Sequence, residues 1–92
     1  GKDYGAPADI YSLGIVLWEI VTGKEPFAEF NFQLSSMLED QILLGLRPTI
    51  PEKTSEGYAA LIRRCWHRQP HLRPSASEVL PTLDALNIAF RF

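Results

Sequence analysis

Apolar residues recur at helical spacing in four stretches of this chain and nowhere settle into the two-residue alternation of a strand. The first predicted helix covers about 9–22 and closes at Gly23, a residue suited to the left-handed backbone just past a helix end, with Pro26 barring continuation. The second covers about 34–44, with Leu34, Leu38 and Ile42 at four-residue spacing and Gly45 as its stop. The third, about 55–68, carries Tyr58, Leu61, Ile62, Cys65 and Trp66 on one face. The fourth, about 75–87, opens with Ser75-Ala76-Ser77-Glu78, which reads as a capping box: the serine hydroxyl accepts from the Glu78 amide, and the carboxylate reaches back. Val79, Leu83 and Leu86 follow on one side, and Pro81 predicts a kink or a late start. Between the second and third helices, Arg47-Pro48-Thr49-Ile50-Pro51 is extended or turning chain, because each proline disfavours helix in its predecessor. The expected fold is therefore all-α, four helices in one domain over residues 1–92, with a long 23–33 connection bearing Phe27, Phe30 and Phe32.

The first helix breaks the usual two-faced pattern. Ile10, Leu13, Ile15, Val16, Leu17, Trp18, Ile20 and Val21 point in nearly every direction around its axis, as in a helix buried on all sides. Three short partners can cover about two of those sides. Each large apolar side chain gains roughly 1.5–3 kcal/mol on burial, so leaving several bare would consume most of a small domain's stability. Two outcomes follow: self-association, or a place at the centre of a larger body, the second preferred.

Composition narrows the choice. The chain has 92 residues, 46% of them hydrophobic and 22% charged, enough for one small domain and unlike a disordered, collagenous or disulfide-built chain. A domain of this size buries roughly 60–65% of its unfolded surface, which makes for a thin core. Nine basic against eleven acidic residues lack the surplus of a nucleic-acid binder. Neither a membrane span nor a secretory signal is expected, and the single Cys65 suits a reducing, cytoplasmic setting.

Taken in order, the run from Asp9 through Ser12-Leu13-Gly14 to Trp18-Glu19-Ile20, then Gly23, Pro26-Phe27, Gly45-Leu46-Arg47-Pro48, Cys65-Trp66, Pro70 and Arg73-Pro74-Ser75 resembles the last third of a eukaryotic protein kinase catalytic domain. The likeness covers about residues 4–86. Cys65-Trp66 and Trp18-Glu19 point to the tyrosine-kinase and tyrosine-kinase-like groups, and Thr22-Gly23-Lys24-Glu25-Pro26-Phe27 favours the latter, mostly serine/threonine-specific. The resemblance implies that the first helix is the central helix of the large lobe and that the other three pack beneath it.

The same resemblance implies what lies elsewhere. No Gly-rich loop, strand lysine, H-R-D loop, D-F-G or A-P-E occurs in these residues, so no catalytic residue and no cofactor or metal ligand is expected among them, while ATP and Mg are implied for the parent. Asp9 resembles the aspartate that accepts amides of the catalytic loop; read without the family, it is an ordinary helix cap. Arg73 resembles the arginine that pairs with the A-P-E glutamate, absent here, so its charge must stay wet, find a substitute or destabilise its surroundings. Trp18, Cys65 and Trp66 are expected core. His67 and His71 are four apart but separated by Pro70, which argues against a metal pair, and Arg63, Arg64, Arg68 and Arg73 read as a solvated basic face. Phe27, Phe30, Phe32, Leu34 and Met37 either line a docking surface for a protein substrate or regulator or pack the loop locally.

The expected role is a structural piece of an ATP-dependent protein kinase, with the rest of the kinase domain as its first partner. The alternative is a non-catalytic helical interaction module or pseudokinase remnant. In isolation the chain is expected to be molten or self-associating.

Overall fold

The computed structural model describes residues 6–30 and 35–88. Within them lie four α-helices, α1 (Pro7–Thr22), α2 (Ser35–Leu43), α3 (Glu56–Cys65) and α4 (Ala76–Ile88), a 3-10 turn at Pro70–Leu72, and no strand.

Helix α1 begins two residues before the expected Asp9, because Pro7 occupies its first position, where a missing amide costs nothing and the fixed φ suits the helix. Ala6 is the N-cap and no side chain caps it, so Asp9 lies inside the first turn and the cap reading of that residue is corrected. At the other end Gly23 (φ 68°) takes the left-handed conformation and donates its amide to the Glu19 carbonyl at 2.7 Å.

Helix α2 ends in a Schellman turn: Leu46 N–H donates to the Gln41 carbonyl at 2.9 Å and Gly45 N–H to that of Ile42 at 3.0 Å, with Gly45 at φ 113°. Leu44 thus belongs to the turn, and the expected start at Leu34 lies outside the described residues.

Helix α3 is capped by Ser55 Oγ, which accepts from Tyr58 N–H at 3.4 Å, and it stops at Cys65, three residues short of the expected Arg68. Pro70 sets only an outer limit, holding Gln69 extended (φ −90°, ψ 113°) so that no helix passes Arg68. A continued helix would ask for its amide, which does not exist.

Helix α4 starts at Ala76 and runs through Pro81, so the late start expected from that proline does not occur. The capping box is half of the expected one. Glu78 Oε1 accepts the Ser75 amide at 3.0 Å, but the Ser75 hydroxyl donates to the same oxygen at 3.1 Å instead of accepting from the Glu78 amide, which bonds the Ser75 carbonyl.

The core is built where α1 crosses α3, with Val79 closing it from α4: Ile10, Leu17, Trp18, Leu61, Ile62, Cys65, Trp66 and Val79 are all buried. The crossing is close because Gly14 has no side chain; a Cβ there would lie 2.9 Å from Cys65 Cβ. Burial pushes the Cys65 thiol up to about 11, against a smaller opposing pull from Arg64, so it is a packing group and a poor nucleophile. Val16 and Ile20, turned from the Gly14 stripe of α1, are exposed, and Val21, two turns after Gly14 on that stripe, is exposed as well. The all-round apolar helix is therefore covered on one side only.

Candidate functional site

Two polar clusters are built on α1, one near each end. At the first, Tyr11 is the hub: the guanidinium carbons of Arg47 and Arg73 lie 5.0 Å and 5.1 Å from its ring centroid, within cation–π range. Each guanidinium is aimed by backbone carbonyls. Arg47 Nε donates to Trp66 O at 2.8 Å, and its Nη1 to Ile42 O at 2.9 Å and Leu46 O at 2.7 Å. Arg73 Nε donates to His67 O at 2.8 Å and its Nη1 to Pro7 O at 2.8 Å. Arg47 thereby ties the end of α2 to the end of α3, and Arg73 ties the chain after α3 to the start of α1. Burial lowers the Arg47 pKa from its ordinary value; Tyr11 opposes the shift, and the neighbouring Arg73 charge adds to it. Of the alternatives open to an Arg73 without its glutamate, the substitute is what the fold contains: two carbonyls and an aromatic face.

Asp9 sits half a turn from Tyr11 on the exposed side of the first turn of α1, where the helix N-terminus favours a negative charge.

The second cluster centres on Thr49. Trp18 Nε1 donates to its carbonyl at 2.9 Å, while Glu29 takes both its remaining donors: Thr49 N–H to Oε1 at 2.7 Å and Thr49 Oγ1–H to Oε2 at 2.8 Å. These bonds hold the Glu29 carboxyl below the usual glutamate value, the amide bond contributing most. Beside this cluster an open groove of about 1000 Å³ lies between the second half of α1 and helices α3 and α4, lined by Leu17, Ile20, Val21, Tyr58 and Leu83.

Three of the five docking candidates fall among the described residues. Phe27, held at φ 64°, and Phe30 are half-buried and stack at 6.4 Å between centroids, tilted by 41°, whereas Met37 is exposed on α2; Phe32 and Leu34 lie outside the described residues. The basic residues do not form one face: Arg63 meets Glu56 at 3.3 Å, Arg64 meets Glu78 at 3.6 Å, and Arg73 turns inward. His67 Nδ1 accepts from Gln69 N–H at 3.0 Å, and among the described residues no three His, Cys, Asp or Glu side chains converge as a metal site. None of the described helices is long and apolar enough to cross a membrane.

Sequence reasoning missed Tyr11, Arg47, Glu29 and Thr49. One signal was available: Pro70 stands four residues after Trp66, so the Trp66 carbonyl needed a donor from elsewhere.

Residues 2–83 match the protein tyrosine and serine/threonine kinase family. The chain is 45% identical over 86 residues to a probable serine/threonine-protein kinase, roco8, of Dictyostelium discoideum, covering 94% of this chain and 5% of that protein. It is 47% identical over 90 residues to a putative serine/threonine-protein kinase/receptor of Acanthamoeba polyphaga mimivirus, covering 98% of this chain and 5% of the relative. To the dual specificity protein kinase shkC of Dictyostelium discoideum it is 40% identical over 83 residues, covering 90% of this chain and 16% of the relative. The chain thus spans a small fraction of each relative's length.

Proposed function

The chain belongs to the protein tyrosine and serine/threonine kinase family, and from that premise we propose that it is the helical floor of a kinase large lobe whose parent transfers the γ-phosphoryl group of ATP to protein serine or threonine in preference to tyrosine. The observation that carries this reading is the bare side of α1. Ile20 is 73% exposed and Val16 47%, on the helix that also gives Ile10, Leu17 and Trp18 to the core, so α1 is the middle of a larger body.

In this reading these residues hold up a site whose chemistry is done by other parts of the parent, which bind ATP and Mg. Asp9 is a positioning residue: its exposed carboxylate accepts amides of the catalytic loop. Arg73, steered by Pro7 and His67 carbonyls, keeps part of its fork for a carboxylate of the A-P-E segment. Phe27, Phe30 and Met37, with Phe32 and Leu34, serve protein docking. The preference for serine and threonine is supported by the names of two of the relatives, and a cytoplasmic setting by the lone buried Cys65.

The test is a phosphoryl-transfer assay of the full-length parent with magnesium, radiolabelled ATP and peptides offering serine, threonine or tyrosine. Label on serine or threonine is expected, and Asp9→Ala should lower kcat at least tenfold while nucleotide affinity changes less than threefold, roughly 1.4 against under 0.7 kcal/mol. No transfer by the intact parent would overturn the catalytic reading in favour of a pseudokinase, and equal losses in kcat and affinity would overturn the role of Asp9.

A further inference from the structure

The Glu29–Thr49 contact joins two loops that nothing in the helical framework requires to be joined. Glu29 lies in the aromatic loop 24–30 and Thr49 in the extended stretch between α2 and α3. Ser12, Thr22 and Thr82 bond carbonyls one turn back in their helices, and Ser55 and Ser75 sit at helix starts. Thr49, exposed like Ser12, Ser55 and Ser75, differs from them in its surroundings and its partner. It lies in extended chain bracketed by Pro48 and Pro51, and its hydroxyl donates at 2.8 Å to a carboxylate twenty residues away in sequence.

We propose that Thr49 is a phosphoryl-acceptor switch: a protein serine/threonine kinase transfers the γ-phosphoryl group of ATP to its Oγ1, and the product releases the 24–30 loop. In that transfer the Oγ1–P bond forms as the bond from the γ-phosphorus to the bridging oxygen breaks, ADP leaves, and the hydroxyl proton passes to the base of the donating kinase. The product has lost the O–H that Glu29 Oε2 accepted and carries close to two negative charges beside that carboxylate. Repulsion between phosphate and carboxylate then works against the remaining bond from the Thr49 amide to Glu29 Oε1, and the loop bearing Phe27 and Phe30 is freed. The hydroxyl is engaged while the latch is shut, so transfer draws on the open fraction, and opening the latch by substitution speeds it. This inference is independent of whether the parent is itself an active kinase.

The experiment uses the full-length parent expressed in eukaryotic cells with phosphatases inhibited, its phosphopeptides mapped by mass spectrometry. Phosphate on Thr49 is expected, about tenfold higher occupancy in Glu29→Ala, and none in Thr49→Val; absence from Thr49 in both the unaltered protein and Glu29→Ala would overturn the proposal. A second arm needs no destabilising substitution: with phosphothreonine installed at position 49, amide exchange in 24–30 should accelerate at least tenfold while exchange in α1 and α3 is unchanged. Unchanged protection of the loop would overturn the switch even if the phosphate is found.

Discussion

Arg47 Nε lies 2.8 Å from the carbonyl of Trp66, the carbonyl that a longer α3 would have offered to the amide of residue 70, and residue 70 is a proline. The arginine supplies the donor that the proline lacks. A buried carbonyl left unpaired is costly, and a charged donor is the strongest replacement.

Arg47 is therefore expected to matter more than a half-buried loop arginine should. Arg47→Met removes three charge-assisted bonds while keeping the length of the stem, and should destabilise the parent domain by about 2–4 kcal/mol. Urea unfolding measures the loss, and hydrogen exchange should show it concentrated where α2 meets α3. Arg47→Lys should recover little, because one ammonium cannot reach the Trp66, Ile42 and Leu46 carbonyls with the fork's geometry.

Gly14 sets the distance between α1 and α3. Gly14→Ala places a Cβ 2.9 Å from Cys65 Cβ, and neither atom can rotate away, so the helices must part. The gain in helix propensity, about 1 kcal/mol, is outweighed by overpacking of about 1–3 kcal/mol with the loss of contacts around Cys65 and Trp66. A lower thermal midpoint is expected; a rise would show that the crossing has slack.

Ile20 gives a test whose sign depends on what surrounds α1. In the isolated chain Ile20→Lys replaces a 73% exposed apolar residue and should reduce self-association, read by sedimentation, with little change in helix content. In the full parent the same change buries a charge and should cost at least about 2–3 kcal/mol. Equal effects in the two settings would mean that nothing covers this side of α1.

The Glu29 latch is acid-labile. Its folded pKa is lowered, by the Thr49 amide first and the Thr49 hydroxyl second, so its contribution is complete above the usual glutamate value of 4.5 and is lost as pH falls through the lower folded value. Exchange of the Thr49 amide should accelerate below that range, beyond the acid dependence of neighbouring amides. Glu29→Gln should flatten this dependence, since an amide does not titrate.

Local signals carried the helices and their ends. Gly23 and Gly45 stop α1 and α2 because only glycine enters the left-handed region without cost, and the apolar face of α3 needed nothing beyond spacing. Where local reading erred, a second local signal competed with it: Pro7 moved the start of α1 ahead of Asp9, and the Ser75 hydroxyl chose the Glu78 carboxylate over its amide. The apolar residues on every side of α1 were also legible, and the proposal of a larger body rests on them.

By itself, then, the amino-acid order determined four helices, their punctuation, the family resemblance and a first helix apolar on every side. The tertiary structure alone decided where the arginines and Glu29 go. Arg73 reaches Pro7 across 66 positions, Arg47 reaches Trp66 across nineteen, and Glu29 finds Thr49 across twenty. Helix periodicity and caps arise from interactions within one turn, whereas a long charged side chain selects among all carbonyls, rings and donors that folding brings within its reach, and that set does not exist until α1 and α3 have crossed.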